Sequence, residues 1–102
     1  MRIIKETTLA AAACAYSDAS VALGAWTRTV RAAGWQSLTE VRRTYPHADA
    51  VRVASSRIAT IFNIGGNKYR LITALHFDRG IAYILCFLTH ADYSKDRWKS
   101  AL

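Results

Sequence analysis

The chain has 102 residues, and 52% of them are hydrophobic. This length predicts one folded domain, residues 1–102, and this composition excludes a disordered chain. No apolar run approaches the roughly 18 residues that a membrane helix requires, so we expect no membrane partner. Lys and Arg number 14 against 7 Asp and Glu, and this net charge of +7 favours a polyanionic partner, either nucleic acid or an acidic protein.

The first half of the chain predicts helices, after one short strand at MRII. The alanine-rich run over residues 7–14 predicts a helix with a threonine at its start as the N-cap. Ser17 or Asp18 is expected to cap a second helix, which Gly34 ends. The sequence SLTE, residues 37–40, has the capping-box form and predicts a third, short helix.

The second half of the chain changes to the periodicity of strands. The segments SRIATIFNI, NKYRLITALHF and IAYILCFL predict an antiparallel meander, and the third strand is apolar enough to be central or covered on both faces. Gly65 and Gly66 predict a two-residue hairpin turn with positive φ. We therefore predict an α+β fold in which N-terminal helices pack on one face of a small antiparallel sheet, followed by a short C-terminal segment.

Several polar groups are expected to meet at one end of this sheet. Alternation along the middle strand places Lys68 and Arg70 on the same face. Antiparallel pairing brings the start of this strand close to the end of the third strand, where the sequence THADYSKDR begins. The two cations should therefore lie near His90 and Tyr93.

These residue types suit cleavage of RNA without a metal ion. The reaction needs a base for the 2′-hydroxyl, cations for the charge on the phosphate oxygens, and an acid for the leaving 5′-oxygen. A histidine, such as His90, can serve as acid or base near neutral pH. Arg70 and Lys68 supply the positive charge, and Tyr93 can stack on a base or orient the phosphate.

Each of these residues also has a structural interpretation. A single histidine is usually structural, and we assign His47 and His76 to that class. Tyr93 has the alternative of packing at the C-terminus. Cys14 and Cys86 lack the spacing of metal ligands, so we expect buried, reduced thiols, a cytoplasmic location, and neither metal nor cofactor.

Two segments of the chain carry a resemblance to a known family. FNIGGNKYRLI, residues 62–72, and LTHADYSKDRW, residues 88–98, closely resemble the HigB toxins, which are mRNA interferases of bacterial type II toxin–antitoxin systems and are related in fold to RelE. The resemblance extends over nearly the whole chain. It implies metal-independent cleavage of mRNA, commonly on a translating ribosome, and neutralisation by a cognate HigA-like helix-turn-helix antitoxin.

The resemblance also implies roles for individual residues. Arg70, His90 and Tyr93 occupy the positions expected to be catalytic, with Arg70 on the phosphate, His90 as base or acid, and Tyr93 positioning the RNA. Turn chemistry by itself also explains an asparagine beside the hairpin. The residues expected to bind RNA are Lys68, Lys95 and Asn67.

Two other functions remain open at the level of sequence. One is a non-catalytic RNA- or ribosome-binding module of the same fold, which would show salt-sensitive RNA binding without cleavage. The other is a protein-interaction domain whose basic face serves an acidic partner. The sequence favours the endoribonuclease, because His90 and Tyr93 have no role in the two alternatives.

Overall fold

The computed structural model describes residues 1–102, which form a five-stranded sheet and five α-helices. The strands are β1 (Arg2–Ile4), β2 (Asp49–Arg52), β3 (Ile58–Ile64), β4 (Tyr69–His76) and β5 (Ile81–Thr89). The helices are α1 (Glu6–Ala15), α2 (Ser20–Ala32), α3 (Leu38–Thr44), α4 (His90–Ser94) and α5 (Arg97–Ala101), with a turn of 3-10 helix at Ser17–Ala19. None of the helices has the length and apolarity required to cross a membrane.

The sheet has the strand order β1-β5-β4-β3-β2 and is antiparallel throughout, except that β1 runs parallel to β5. The α+β class and the antiparallel meander of β3, β4 and β5 are as predicted. Strand β5 lies between β1 and β4, which explains its nearly continuous apolar sequence. The edge strand β2 was not predicted, because the sequence DAVR is short and mostly exposed.

The hairpin between β3 and β4 carries the residues that matter most for the site. Gly65 and Gly66 have φ values of 63° and 70°, so the predicted positive φ is confirmed. The turn is longer than predicted, because Ile64 pairs directly with Tyr69 and four residues lie between them. Lys68 is therefore in the turn and not in the strand.

The helix starts follow the predictions in one case and depart from them in two. Ser37 caps α3 as predicted, its Oγ accepting a hydrogen bond from the backbone N–H of Glu40 at 3.4 Å. Helix α1 begins one residue before the predicted threonines, with Lys5 as an N-cap in the left-handed region at φ 69°. Helix α2 follows the 3-10 turn without a side-chain cap, so the predicted serine or aspartate cap is wrong.

The first face of the sheet packs against the N-terminal helices around Phe62. The ring of Phe62 is fully buried, and its centroid lies 5.4 Å from that of Trp26 in α2. The rings of Trp35 and Tyr45, which flank α3, have centroids 6.3 Å and 5.3 Å from the same ring. This aromatic cluster joins α2 and the α3 region to β3.

The second face of the sheet has a smaller core. Ile61 and Ile72 alternate with residues of the first core, so they point to the opposite side of the sheet. The residues of this second cluster are Val53, Ala59, Ile61, Ile72 and Trp98. Helix α5, through Trp98, therefore covers the part of the second face that Ile61 and Ile72 form.

The aromatic cluster around Phe62 should contribute more to the free energy of unfolding than exposed positions of the same strand. Phe62→Ala should lower the free energy of unfolding by about 3–5 kcal/mol, because it removes a fully buried ring that touches three other rings. Ile58→Ala, at an exposed position of the same strand, should lower it by less than about 1 kcal/mol. Urea denaturation of both variants measures the difference, and similar losses in the two would contradict this description of the core.

Candidate functional site

Arg70 lies at the start of β4 with its guanidinium on the second face of the sheet. Only 8% of the residue is exposed. Its Nη1 donates to the carbonyl oxygens of Asn67 and Tyr69, both at 3.2 Å, and its Nη2 donates to Asn67 Oδ1 at 3.0 Å. The hairpin turn that precedes the strand thus holds the side chain in place.

The guanidinium of Arg70 is a buried charge that neutral oxygen atoms satisfy only in part. A guanidinium has five N–H donors. Arg70 takes part in none of the ion pairs of the structure. Burial of an unpaired charge is costly, so the arrangement favours an anionic ligand. No three His, Cys, Asp or Glu side chains are grouped so that they could hold a metal ion.

Tyr93, in α4, lies against Arg70. The Cζ atom of Arg70 is 5.4 Å from the centroid of the Tyr93 ring, a cation–π distance. The Tyr93 ring also stacks on Trp98, with centroids 5.3 Å apart and planes inclined by 17°. The indole N–H of Trp98 donates to the carbonyl oxygen of Tyr93 at 3.0 Å. Sequence reasoning missed this role of Trp98, which lies five residues beyond Tyr93 and across the break between α4 and α5, so helical spacing does not link the two rings.

His90 is the first residue of α4 and reaches the same end of the sheet. Thr89 caps this helix, its Oγ1 accepting from the N–H of Asp92 at 3.2 Å. The backbone N–H of His90 donates to the carbonyl oxygen of Lys68 at 2.9 Å, which ties the end of β5 to the hairpin turn. The imidazole is exposed. The predicted approach of His90 to the start of β4 is therefore present in the structure.

The side chain of Lys68 points elsewhere than predicted. Its Nζ lies 3.4 Å from Oδ2 of Asp18, on the side of the N-terminal helices, whereas Arg70 faces Asn67 and Tyr93. The prediction that Lys68 and Arg70 share a face is wrong, because Lys68 belongs to the turn and does not follow the alternation of the strand.

The second predicted RNA-binding lysine, Lys95, follows α4 and is also exposed. Its Nζ lies 3.7 Å from Oδ1 of Asp92, one turn earlier in the helix. Exposed pairs of this kind contribute little to stability and exchange readily with other anions. Lys95 has no recorded contact with Arg70, so the structure places it at the margin of the group.

An open depression of about 580 Å³ lies next to the hairpin turn, and no hydrophobic side chain lines it; its lining residues are His47, Asn63, Gly66 and Asn67. Arg70 does not line the depression itself, but two lining residues are its neighbours: Asn63 pairs with it in the sheet, and Asn67 Oδ1 accepts from its Nη2. His47, assigned a structural role from the sequence, therefore lies near the candidate site. The short turn between α3 and β2 that brings it there gives no periodic signal in the sequence.

Asp18 and Tyr69 hold the hairpin from the other face. The Tyr69 hydroxyl donates to Asp18 Oδ1 at 2.6 Å. This hydrogen bond holds the pKa of the Asp18 carboxyl below its ordinary value of 3.8, with a further contribution from the Lys68 ammonium. The same hydrogen bond raises the pKa of Tyr69 to about 12.

Comparison with models of protein families gives a match over residues 19–96 to the HigB toxin family, described as the RelE-like toxic component of a toxin–antitoxin system. The matched region includes the hairpin turn, β4 and the whole of α4. Comparison with curated protein sequences gives no match.

The contact between Asp18 and Tyr69 predicts a dependence of stability on pH. Tyr69→Phe should destabilise the protein at neutral pH, because the folded state then loses the hydrogen bond that favours the Asp18 carboxylate. This contribution is present above pH 3.8 and is lost as the pH falls through the lowered pKa, so the two proteins should converge in acid. Urea denaturation across this pH range measures the effect.

Asp78→Asn provides the control, since Asp78 is exposed and takes part in no ion pair of the structure. Its difference from the wild type should stay small at every pH. A deficit for Tyr69→Phe that stays constant into acid would show that packing, not the hydrogen bond to the carboxylate, causes the loss.

Proposed function

The chain belongs to the HigB family of RelE-like toxins, the toxic components of toxin–antitoxin systems, and on that premise we propose that it cleaves mRNA and so inhibits growth. The substrate is mRNA in the cytoplasm, engaged on a translating ribosome. A toxin of this kind has an antitoxin as its partner, and we propose a HigA-like protein with a helix-turn-helix domain.

The observation that carries this proposal is the buried guanidinium of Arg70. The hairpin turn holds this cation in a fixed orientation, some of its N–H donors have no partner, and no carboxylate pairs with it. Such a cation is arranged to receive an anion. The phosphodiester of RNA is the anion that a strongly basic toxin of this family encounters. Arg70 would donate to the non-bridging oxygens and stabilise the charge that grows there in the transition state.

The proposed reaction is an internal transesterification. The 2′-oxygen attacks phosphorus, the bond between phosphorus and the 5′-oxygen breaks, and the products are a 2′,3′-cyclic phosphate and a 5′-hydroxyl. One proton leaves the 2′-oxygen and another is delivered to the 5′-oxygen, so the reaction needs a base and an acid. Neither transfer requires a metal ion or a cofactor.

Histidines suit both proton transfers, because imidazole exchanges protons near neutral pH. We propose that His90 performs one of the transfers, since its exposed ring begins the helix beside the hairpin turn. His47 is available for the other, since it lines the depression beside Asn67. Either histidine can act as the base, with the other as the acid.

The remaining residues hold Arg70 or the RNA chain. Tyr93 packs against the guanidinium and limits its motion, and it also offers a hydroxyl toward the RNA. Asn67 supplies two of the oxygen atoms that orient Arg70, while its amide nitrogen can donate to RNA. Lys68 and Lys95 are exposed and held only by surface ion pairs, so both can turn to neighbouring phosphates.

Substitution of the two central residues tests the proposal. On induced expression in bacteria, the wild type should arrest growth and create new 5′ ends in mRNA. His90→Ala should slow cleavage by about 100-fold or more, as expected for loss of a general acid or base. Arg70→Lys should slow it by a similar factor, because an ammonium cannot reproduce the fixed geometry of the guanidinium.

Arg28→Ala is the matched control, since it removes an exposed positive charge from α2, outside the candidate site. Capture by the cognate antitoxin checks that each variant folds. If His90→Ala and Arg70→Lys bind the antitoxin and still cleave mRNA at the wild-type rate, the assignment fails. RNA binding without cleavage by the wild type, on ribosomes, would instead indicate the non-catalytic module.

Asn67→Asp separates the function of Arg70 from its contribution to stability. A carboxylate in place of the Asn67 amide oxygen, 3.0 Å from Nη2, would pair with the guanidinium and occupy it. We expect the free energy of unfolding to rise by about 1 kcal/mol, while cleavage falls at least about tenfold. Urea denaturation and an mRNA cleavage assay measure the two effects, and unchanged cleavage would argue against a phosphate on Arg70.

A further inference from the structure

A second pocket, of about 510 Å³, lies at the other end of the sheet from Arg70, and its lining combines five hydrophobic residues with four basic ones. Four separate segments of the chain meet there. Lys5 follows β1, Arg57 precedes β3, His76 ends β4, and Arg79 lies in the turn between β4 and β5. None of these residues takes part in the site described above.

The positive charges of this pocket are not neutralised. Lys5, Arg57 and Arg79 take part in none of the ion pairs of the structure, although five other Lys or Arg side chains do. The Nε of Arg57 donates only to the Ser55 hydroxyl, at 3.2 Å. Asp78, adjacent in sequence to Arg79, forms no ion pair either. Three free cations around one concave surface create a local positive potential that attracts anions.

The pocket also contains an aromatic pair. The rings of His76 and Tyr83 meet edge to face, with centroids 5.3 Å apart. Tyr83 is only partly buried, so part of its ring is open to the pocket. Cations together with accessible aromatic rings are typical of surfaces that bind single-stranded nucleic acid, where phosphates meet the cations and bases stack on the rings.

This pocket shares a face of the sheet with Arg70. Arg70, Ile72 and His76 are even-numbered positions of β4, which point to the second face. His76 is six residue steps along the strand from Arg70, a distance of about 20 Å. One phosphate therefore cannot touch both ends, whereas a single strand of several nucleotides reaches from one to the other.

We propose that this pocket is a second RNA subsite, in which Lys5, Arg57 and Arg79 bind phosphates of the same strand that Arg70 engages and Tyr83 stacks on one of its bases. The inference rests on the proposed function in taking RNA as the ligand. An acidic protein segment would also meet the cations, but it would make no use of the aromatic pair.

Binding of an RNA that cannot be cleaved tests the subsite independently of catalysis. The probe is a fluorescent single-stranded oligonucleotide of about 12 nucleotides with 2′-O-methyl riboses, and the readout is anisotropy as a function of salt. Arg57→Ala and Arg79→Ala should each weaken binding about tenfold and reduce the salt slope by about one. Arg28→Ala, which removes the same charge from α2, should bind like the wild type.

Two variants of Tyr83 test the contribution of base stacking to RNA binding. Tyr83→Leu should weaken binding by about tenfold without changing the salt slope, because it removes stacking and no charge. Tyr83→Phe keeps the ring and should bind like the wild type. Circular dichroism of each variant shows that the fold is retained.

The results separate this inference from the proposed function. If Arg57→Ala and Arg79→Ala bind the probe like Arg28→Ala, the subsite is wrong, even if the protein cleaves mRNA. If both variants lose only capture by the antitoxin, the occupant is a protein and the subsite is equally wrong. If they lose RNA binding while the wild type cleaves nothing, the subsite stands and the nuclease proposal fails.

Discussion

The alternation of side chains along β4 is the constraint on which the rest of the structure depends. This strand lies between β3 and β5, and its residues from Tyr69 to Ala74 are buried on both faces of the sheet. Leu71 and its odd-numbered neighbours turn to the core shared with the N-terminal helices, and Ile72 turns to the second core beneath Trp98. Trp98 of α5 covers Ile72 on the second face, Tyr93 of α4 packs on Arg70 at one end of that face, and a pocket lies at the other end.

Arg70 lies at one end of this face, where stability and the proposed binding of a phosphate make opposite demands. Its burial is offset by backbone and amide oxygens and by the ring of Tyr93, and not by a carboxylate. A carboxylate would make the folded state more stable, but it would also compete with a phosphate for the same donors. Trp98 contributes both to stability and to the arrangement around Arg70, because its indole packs in the second core and also stacks on the Tyr93 ring.

The hairpin turn that bears Asn67 is held from both faces of the sheet. On one side, Asp18 binds the Tyr69 hydroxyl and attracts the Lys68 ammonium. On the other side, the guanidinium of Arg70 binds Asn67. A turn fixed in this way presents its groups with little reorganisation, which is the condition under which electrostatic stabilisation of a transition state is most effective. Arg70 at one end of the face and Lys5, Arg57 and Arg79 at the other are the cations that a single RNA strand bridges in the complex we propose.

The sequence by itself determined the features that depend on short-range patterns. Positive φ at Gly65 and Gly66, the Ser37 cap and the antiparallel meander follow from local chemistry, and strand pairing then brings Arg70, His90 and Tyr93 to one end of the sheet. The tertiary structure alone decided the direction of Lys68 and the positions of His47 and Trp98. The direction of a side chain in a turn depends on the length of the turn, and strand alternation does not set it. Contacts between distant segments arise from packing, and packing leaves no periodic pattern in the sequence.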